Sequence, residues 1–177
     1  MRLHQLHRMT WLPLSVENAF QFFCDPLNLQ RITPPELDFS LNETPSGEMR
    51  EGVEIAYRMR LWGVPITWRS RIEDWRPNQS FTDTALESPY RLWHHRHFLV
   101  PEGQGTTMID LVNYALPFWP LGEVAHPVVR RQLRRIFDYR ESTIQELLGA
   151  LPLEPSHPPT KQPRTGPNHA FSPLVSK

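Results

Sequence analysis

Residues 81–117 read FTDTALESPYRLWHHRHFLVPEGQGTTMIDLVNYALP. Two long alternating runs flank a turn at Pro101-Glu102-Gly103-Gln104-Gly105. A strand repeats its side-chain direction every second residue, so Trp93, His95, His97 and Leu99 share one face of the first run. Met108, Asp110, Val112 and Tyr114 share one face of the second by the same rule. An ordinary hydrophobic core has no use for two histidines, an aspartate and a tyrosine. A cavity that holds an amphipathic molecule does. A slip of one residue would turn both faces outward, so the pattern fixes the grouping and leaves the side open.

Outward from this pair, Ser80 to Ala85 continues the strand pattern, and Gly52–Leu61 and Ile66–Trp75 precede it. Trp62-Gly63-Val64-Pro65 and Arg76-Pro77-Asn78 read as the turns between them. Leu37–Asn42 reads as a further strand and Leu3–Leu12 as the first. Ser15 stands where a helix N-cap is expected, with Glu17 in the first turn to suit the helix dipole. Val16, Ala19, Phe20 and Phe23 follow on one helical face. Asp25-Pro26 interrupts that helix, and Leu27–Ile32 reads as a second short one, ended by Pro34-Pro35. After Pro117 to Pro120 breaks the last strand, Pro127 suits the first position of a long helix. Its apolar stripe is Val129, Leu133, Ile136, Phe137, Arg140, Ile144, Leu147 and Leu148, and Gly149 is its stop. Roughly 22 residues of helix span about 33 Å, enough to cross a sheet. The order of elements defines an α+β architecture, an antiparallel sheet with helices on one face. A curved sheet around a long helix leaves a space where small molecules bind.

Composition narrows the function. The chain of 177 residues is long enough for one domain with a real core. Its formal net charge is zero, so no global field favours nucleic acid. Cys24 is the only cysteine, which excludes disulfides within the chain and cysteine-based metal clusters. The first residues, MRLHQLHRMTWLPL, lack the apolar core of a signal peptide. No run approaches the roughly 18 apolar residues of a membrane span. The expectation is a soluble cytoplasmic protein with one domain over residues 1–150. Residues 151–177 carry seven of the 19 prolines and little apolar content, and read as a disordered tail. No glycine-rich phosphate loop is present, the His94-His95-Arg96-His97 run lies on a strand, and no serine or cysteine sits in a nucleophile elbow.

Several pieces together resemble a known superfamily. They are Gly63-Val64-Pro65-Ile66-Thr67-Trp68, Phe81-Thr82-Asp83, Ser88-Pro89-Tyr90 and Trp93-x-His95-x-His97. Gly105-Thr106-Thr107-x-x-Asp110-x-Val112-x-Tyr114-x-x-Pro117 and Ile136-Phe137-x-Tyr139-Arg140 complete the set. The chain thereby resembles the START/polyketide-cyclase superfamily (SRPBCC, or helix-grip proteins) over residues 3–148. More narrowly it is similar to the bacterial cyclase/dehydrase-like branch, sometimes labelled cell-division-inhibitor-like. Ser88 and Leu99 depart from that pattern at positions that carry no chemistry. The resemblance implies a helix-grip fold: a curved antiparallel sheet of six or seven strands wrapped around a long C-terminal helix, with two short helices after the first strand. It implies a cavity but no particular ligand, because the superfamily includes lipid carriers, hormone receptors, cyclases and chaperone regulators.

The candidate site residues follow from the faces. His95 and His97, two apart on a strand, hold their rings roughly 6–7 Å apart by strand rise. With Asp110 as a third ligand they can bind a metal. They can act as acid and base on a polyketide-like substrate, or orient a ligand. They can also pair with Asp110 or Tyr114 in a purely structural cluster, which is the preferred reading; no metal and no cofactor is expected. An inward Asp110 must be paired or have a raised pKa. Trp68 shares a strand face with Ser70 and Ile72, and Tyr57, Met59 and Leu61 share one nearby. Arg130 and Arg140 lie nearer the apolar stripe than Arg131, Arg134 and Arg135, and either can reach a carboxylate on a cavity ligand. The other arginines read as a solvated face, diluted by Asp138, Glu141 and Glu146.

Three functions compete. The first is a binding or carrier protein for a small hydrophobic or amphipathic molecule. Its ligand would lie between Leu133 and Phe137 on the helix and Trp68, Trp93 and Val112 on the sheet, its polar end oriented by His95, His97, Asp110 and Tyr114. The second is a cofactor-free cyclase- or dehydratase-like enzyme using His95, His97, Asp110 or Tyr114. The third is a protein-interaction module linked to cell division, with a filled interior and an apolar patch at Phe118 and Trp119. The first is the expected one, with no nucleic-acid partner and no protein partner identified.

Overall fold

The computed structural model describes residues 1–42 and 48–149. The Pro-rich segment 151–177 lies outside the described residues. Seven strands form one antiparallel sheet: β1 (His4–Leu12), β2 (Ser40–Leu41), β3 (Glu54–Leu61), β4 (Val64–Arg76), β5 (Ser80–Glu87), β6 (Leu92–Glu102) and β7 (Gly105–Ala115). Their spatial order is β1-β7-β6-β5-β4-β3-β2, so the first strand pairs with the last and the rest form a meander. Helices α1 (Val16–Cys24) and α2 (Pro26–Arg31) follow β1, and α3 (Gly122–Gly149) closes the domain. This is the helix-grip arrangement that the resemblance implies.

Local chemistry explains the element boundaries. The Ser15 hydroxyl accepts the Asn18 N–H to cap α1, and Asp25 accepts the Leu27 N–H to start α2. The β3–β4 turn is tighter than the sequence pattern implies. Only Trp62 and Gly63 turn, with φ of 51° and 80°, and Val64 and Pro65 belong to β4. Two consecutive left-handed residues match the twist of a two-residue hairpin, which glycine at the second place eases. Pro65 faces Arg60 one step beyond the closing Leu61–Val64 pair. That step is a pair without ladder hydrogen bonds, so the missing N–H points away from β3. Strand β5 does not reach so far, since its pairing with β4 ends at Arg69 and Glu87. The strand expected over Leu37–Asn42 shrinks to Ser40–Leu41, because Pro35–Leu37 forms a 3-10 turn and Asp38 takes a φ of 45°.

The long helix also starts earlier than its proline suggests. It has 28 residues, and Pro127 lies inside it rather than at its first position. The loop before it supplies the start: the Gly122, Glu123 and Val124 N–H groups donate to Phe118, Pro120 and Leu121. Leu133, Phe137, Ile144 and Leu148 are its buried stripe, and Arg131, Arg134 and Arg135 are exposed. The inward faces of β6 and β7 carry the groups read from the sequence: His95 and His97 are buried, as are Asp110, Val112 and Tyr114. At the β6–β7 turn, a Cβ on Gly105 would collide with the Leu12 carbonyl, so this crossing with β1 requires glycine.

Candidate functional site

Between α3 and the sheet lies a cavity of about 140 Å³. Its walls are mostly apolar and aromatic. Tyr57, Trp68, Tyr90 and Trp93 come from the sheet side, Phe22 and Phe23 from α1, and Leu133 and Phe137 from α3. The rings brace one another: Tyr57 stacks on Trp68 at 5.9 Å, and Trp93 stands edge-on to Trp68 at 5.1 Å. Acidic and basic side chains also face it: Asp83 on β5, His95 and His97 on β6, and Arg140 on α3.

The histidines sit on a neighbouring aspartate. His95 Nε2 lies 2.8 Å from Asp110 Oδ1, and His97 Nδ1 lies 2.9 Å from the same oxygen. The first contact is a hydrogen bond, while His97 Nδ1 is out of line for one, so its contact is electrostatic. The rings are 3.9 Å apart, closer than strand rise alone places them. Burial raises the Asp110 carboxyl, but the two imidazoles together outweigh it and hold the group well below the usual carboxylate range. Burial pushes His95 down to about 3, and the neighbouring His97 adds to that, against the opposing pull of Asp110. Asp110 is therefore ionised and His95 neutral near pH 7. An ionised carboxylate only accepts, so Nε2 of His95 carries the proton. Such a group is a poor proton shuttle at neutral pH, since its pKa lies far from the working range.

Among the described residues, His95, His97 and Asp110 form the one cluster whose donor atoms, all within 4.8 Å, are close enough to share a metal ion. The His95–Asp110 bond occupies two of those donors.

Asp83 and Arg140 are different. Asp83 Oδ1 and Arg140 Nε are buried and make no hydrogen bond. Burial raises the Asp83 carboxyl despite the Ser70 hydroxyl and the nearby charges of His97 and Arg140. Burial lowers Arg140, and Asp110, Tyr57 and Asp83 oppose that through space. The guanidinium carbon lies 5.1 Å from the centre of the Phe137 ring.

Of the residues singled out from the sequence, Trp68, Trp93, His95, His97, Leu133 and Phe137 lie on the cavity wall. Asp110, Val112 and Tyr114 do not. Asp110 sits against the two imidazoles. Val112 and Tyr114 pack with Leu6 and Leu116 in a cluster that continues into Leu133 and Phe137 of the wall. The Tyr114 hydroxyl meets His126 Nε2 at 3.2 Å, near the start of α3. Arg130 is exposed, and of the two arginines near the stripe only Arg140 reaches the cavity. Sequence reasoning missed Asp83, although counting by two from the inward Phe81 places it on the same face.

A curved antiparallel sheet, a long closing helix and an apolar cavity between them define the class, an α+β helix-grip fold. Solved structures of that class superpose on most of the chain. A START superfamily protein from Mycobacterium smegmatis is 12% identical with a TM-score of 0.62, over 81% of this chain and 99% of its own. The Zhui aromatase/cyclase from Streptomyces sp. R1128 is 12% identical with a TM-score of 0.65, over 84% and 94%. Major latex-like protein 151 from Panax ginseng is 13% identical with a TM-score of 0.58, over 82% and 97%. No family model matches the sequence, and no curated protein does. The likeness is one of fold: the chain shares the helix-grip fold of these solved structures. No helix among the described residues is long and apolar enough to cross a membrane.

Proposed function

We propose that the protein binds or carries a small apolar or amphipathic molecule in the cavity between the sheet and α3. One observation carries this reading: a chamber walled by tryptophan, tyrosine and phenylalanine is bordered by only a few charged groups. Apolar walls with few, placed polar groups are the usual makeup of a small-molecule site. The ligand's body lies between Trp68 and Trp93 on one side and Leu133 and Phe137 on the other. His95 and His97 meet its polar end, and Asp110 positions them. The ligand is small, because an apolar cavity of about 150 Å³ takes up benzene. We further propose a cytoplasmic protein with one domain over residues 1–150 and a Pro-rich tail over 151–177.

The test is native mass spectrometry of the full chain from its own source, then denaturing mass spectrometry of what comes off. A stoichiometric small molecule is expected, and Phe137→Trp fills the space and weakens its binding. A chain that emerges empty and takes up neither toluene nor indole overturns the reading. A second reading, a cofactor-free cyclase- or dehydratase-like enzyme, draws on Asp83, a carboxyl raised by burial on the cavity wall. A third, the protein-interaction module linked to cell division, draws on Phe118 and Trp119, which are 83% and 60% exposed.

A further inference from the structure

Three buried side-chain atoms among the described residues have no hydrogen-bond partner: Asp83 Oδ1, His97 Nδ1 and Arg140 Nε. All three residues border the one cavity. Buried polar groups in folded proteins are almost always satisfied, so each exception needs a reason. His97 Nδ1 already lies 2.9 Å from Asp110 Oδ1, so Asp83 Oδ1 and Arg140 Nε are the two left for the polar groups of a bound molecule to complete. Arg140 is the most demanding of the three. A guanidinium stays charged in proteins and offers five donors in a fixed fork. Here neither Asp83 nor Asp110 forms an ion pair with it, and its guanidinium lies over the face of Phe137.

Resting on the ligand-binding reading above, we propose that the cavity takes a small planar aromatic carboxylic acid. The Arg140 guanidinium receives its carboxylate, and the aromatic walls receive its ring. A carboxylate fits the guanidinium fork with two parallel hydrogen bonds. A neutral amphiphile would leave that fork without a matching acceptor. A phosphate would bring more negative charge than one guanidinium balances, beside an already ionised Asp110. The size agrees, since the space of about 140 Å³ compares with the roughly 150 Å³ that accepts benzene. Asp83 Oδ1 then remains to take a ring hydroxyl.

The test is titration of the full chain with benzoate, benzamide and toluene, read by the fluorescence of Trp68 and Trp93 and by ligand NMR. Benzoate is expected to bind at least about tenfold tighter than either neutral probe, the order of a charge-assisted hydrogen bond. Arg140→Met is expected to keep toluene binding and to weaken benzoate by about ten- to a hundredfold. Arg140→Lys keeps the charge without the fork and falls between. If benzamide or toluene binds wild type as tightly as benzoate, the ligand class is wrong and the cavity reading stands. The same holds if Arg140→Met keeps the preference for benzoate. If none of the three probes binds wild type, both fall. The wild-type comparison needs no variant to fold.

Discussion

Asp110 on β7 is buried and Asp83 on β5 half-buried with its Oδ1 enclosed, two carboxylates of the same sheet whose surroundings differ. Asp110 lies against two imidazoles and is held ionised. Asp83 has an oxygen with no hydrogen bond, and burial raises its carboxyl. A buried charge with partners is part of the architecture, and removing one partner strands the rest. Asp83 has the Ser70 hydroxyl, but its bare Oδ1 is a cost the fold carries, which points to a role other than stability. The histidines that stand out most in the sequence thus serve both the framework, through Asp110, and the cavity wall, which the less conspicuous Asp83 and Arg140 also line.

The largest break in that contrast is Asp110→Ala. It leaves the neutral His95 N–H without an acceptor, and urea denaturation is expected to show a loss of about 1–3 kcal/mol. A loss below about 1 kcal/mol would remove the framework role. The pH dependence comes next. Because His95 falls from 6.5 to about 3 on folding, the unfolded chain binds more protons between those values. Stability is therefore full above about pH 6.5 and declines as pH falls toward 3. Asp110, held low, adds to the decline once the unfolded carboxyl titrates near pH 4. His126 is shifted downward by burial in the same direction, so the comparison that isolates His95 is His95→Gln, whose unfolding midpoint should fall less steeply from pH 7 to 4. Asp83→Asn is expected to have a smaller effect, leaving stability within about 1 kcal/mol of wild type or slightly above it. A large loss would give Asp83 the same standing as Asp110. The smallest effect concerns Cys24, whose thiol burial pushes up to about 12. Iodoacetamide at pH 8 should modify it at least about tenfold more slowly than in the urea-unfolded chain, because only the thiolate reacts.

Much of the fold was legible because its signals are local. Period-two alternation placed β6 and β7, helical spacing placed the buried stripe of α3, and Ser15 marked the start of α1. The errors lie where local signals compete. Pro127 reads as a helix start, yet backbone donors from Gly122, Glu123 and Val124 to the preceding loop begin the helix earlier. Val64 and Pro65 read as turn residues, yet Trp62 and Gly63 complete the reversal alone. The site was legible as a set of residue types and faces, which brought out His95, His97, Trp93, Phe137 and even Arg140. Which carboxylate has partners was not legible. The partner of Asp110 sits on another strand, 15 residues away, and the bare Oδ1 of Asp83 depends on what β4, β6 and α3 place around it.

The pairing of β1 with β7 has a consequence in time. Leu12 meets Thr106 and His4 meets Tyr114, so joining these strands closes about a hundred residues of chain in one step. Such distant pairings slow folding, because loop entropy is lost before contacts reward it. As the chain is synthesised, β1 emerges first and waits for its partner until nearly the whole sheet has been made. The meander from β3 to β7 can assemble from neighbours, and the β1–β7 seam then closes it. A fragment lacking the first dozen residues would keep every hairpin of that meander and present β7 as a bare edge, open to the β1 of another copy.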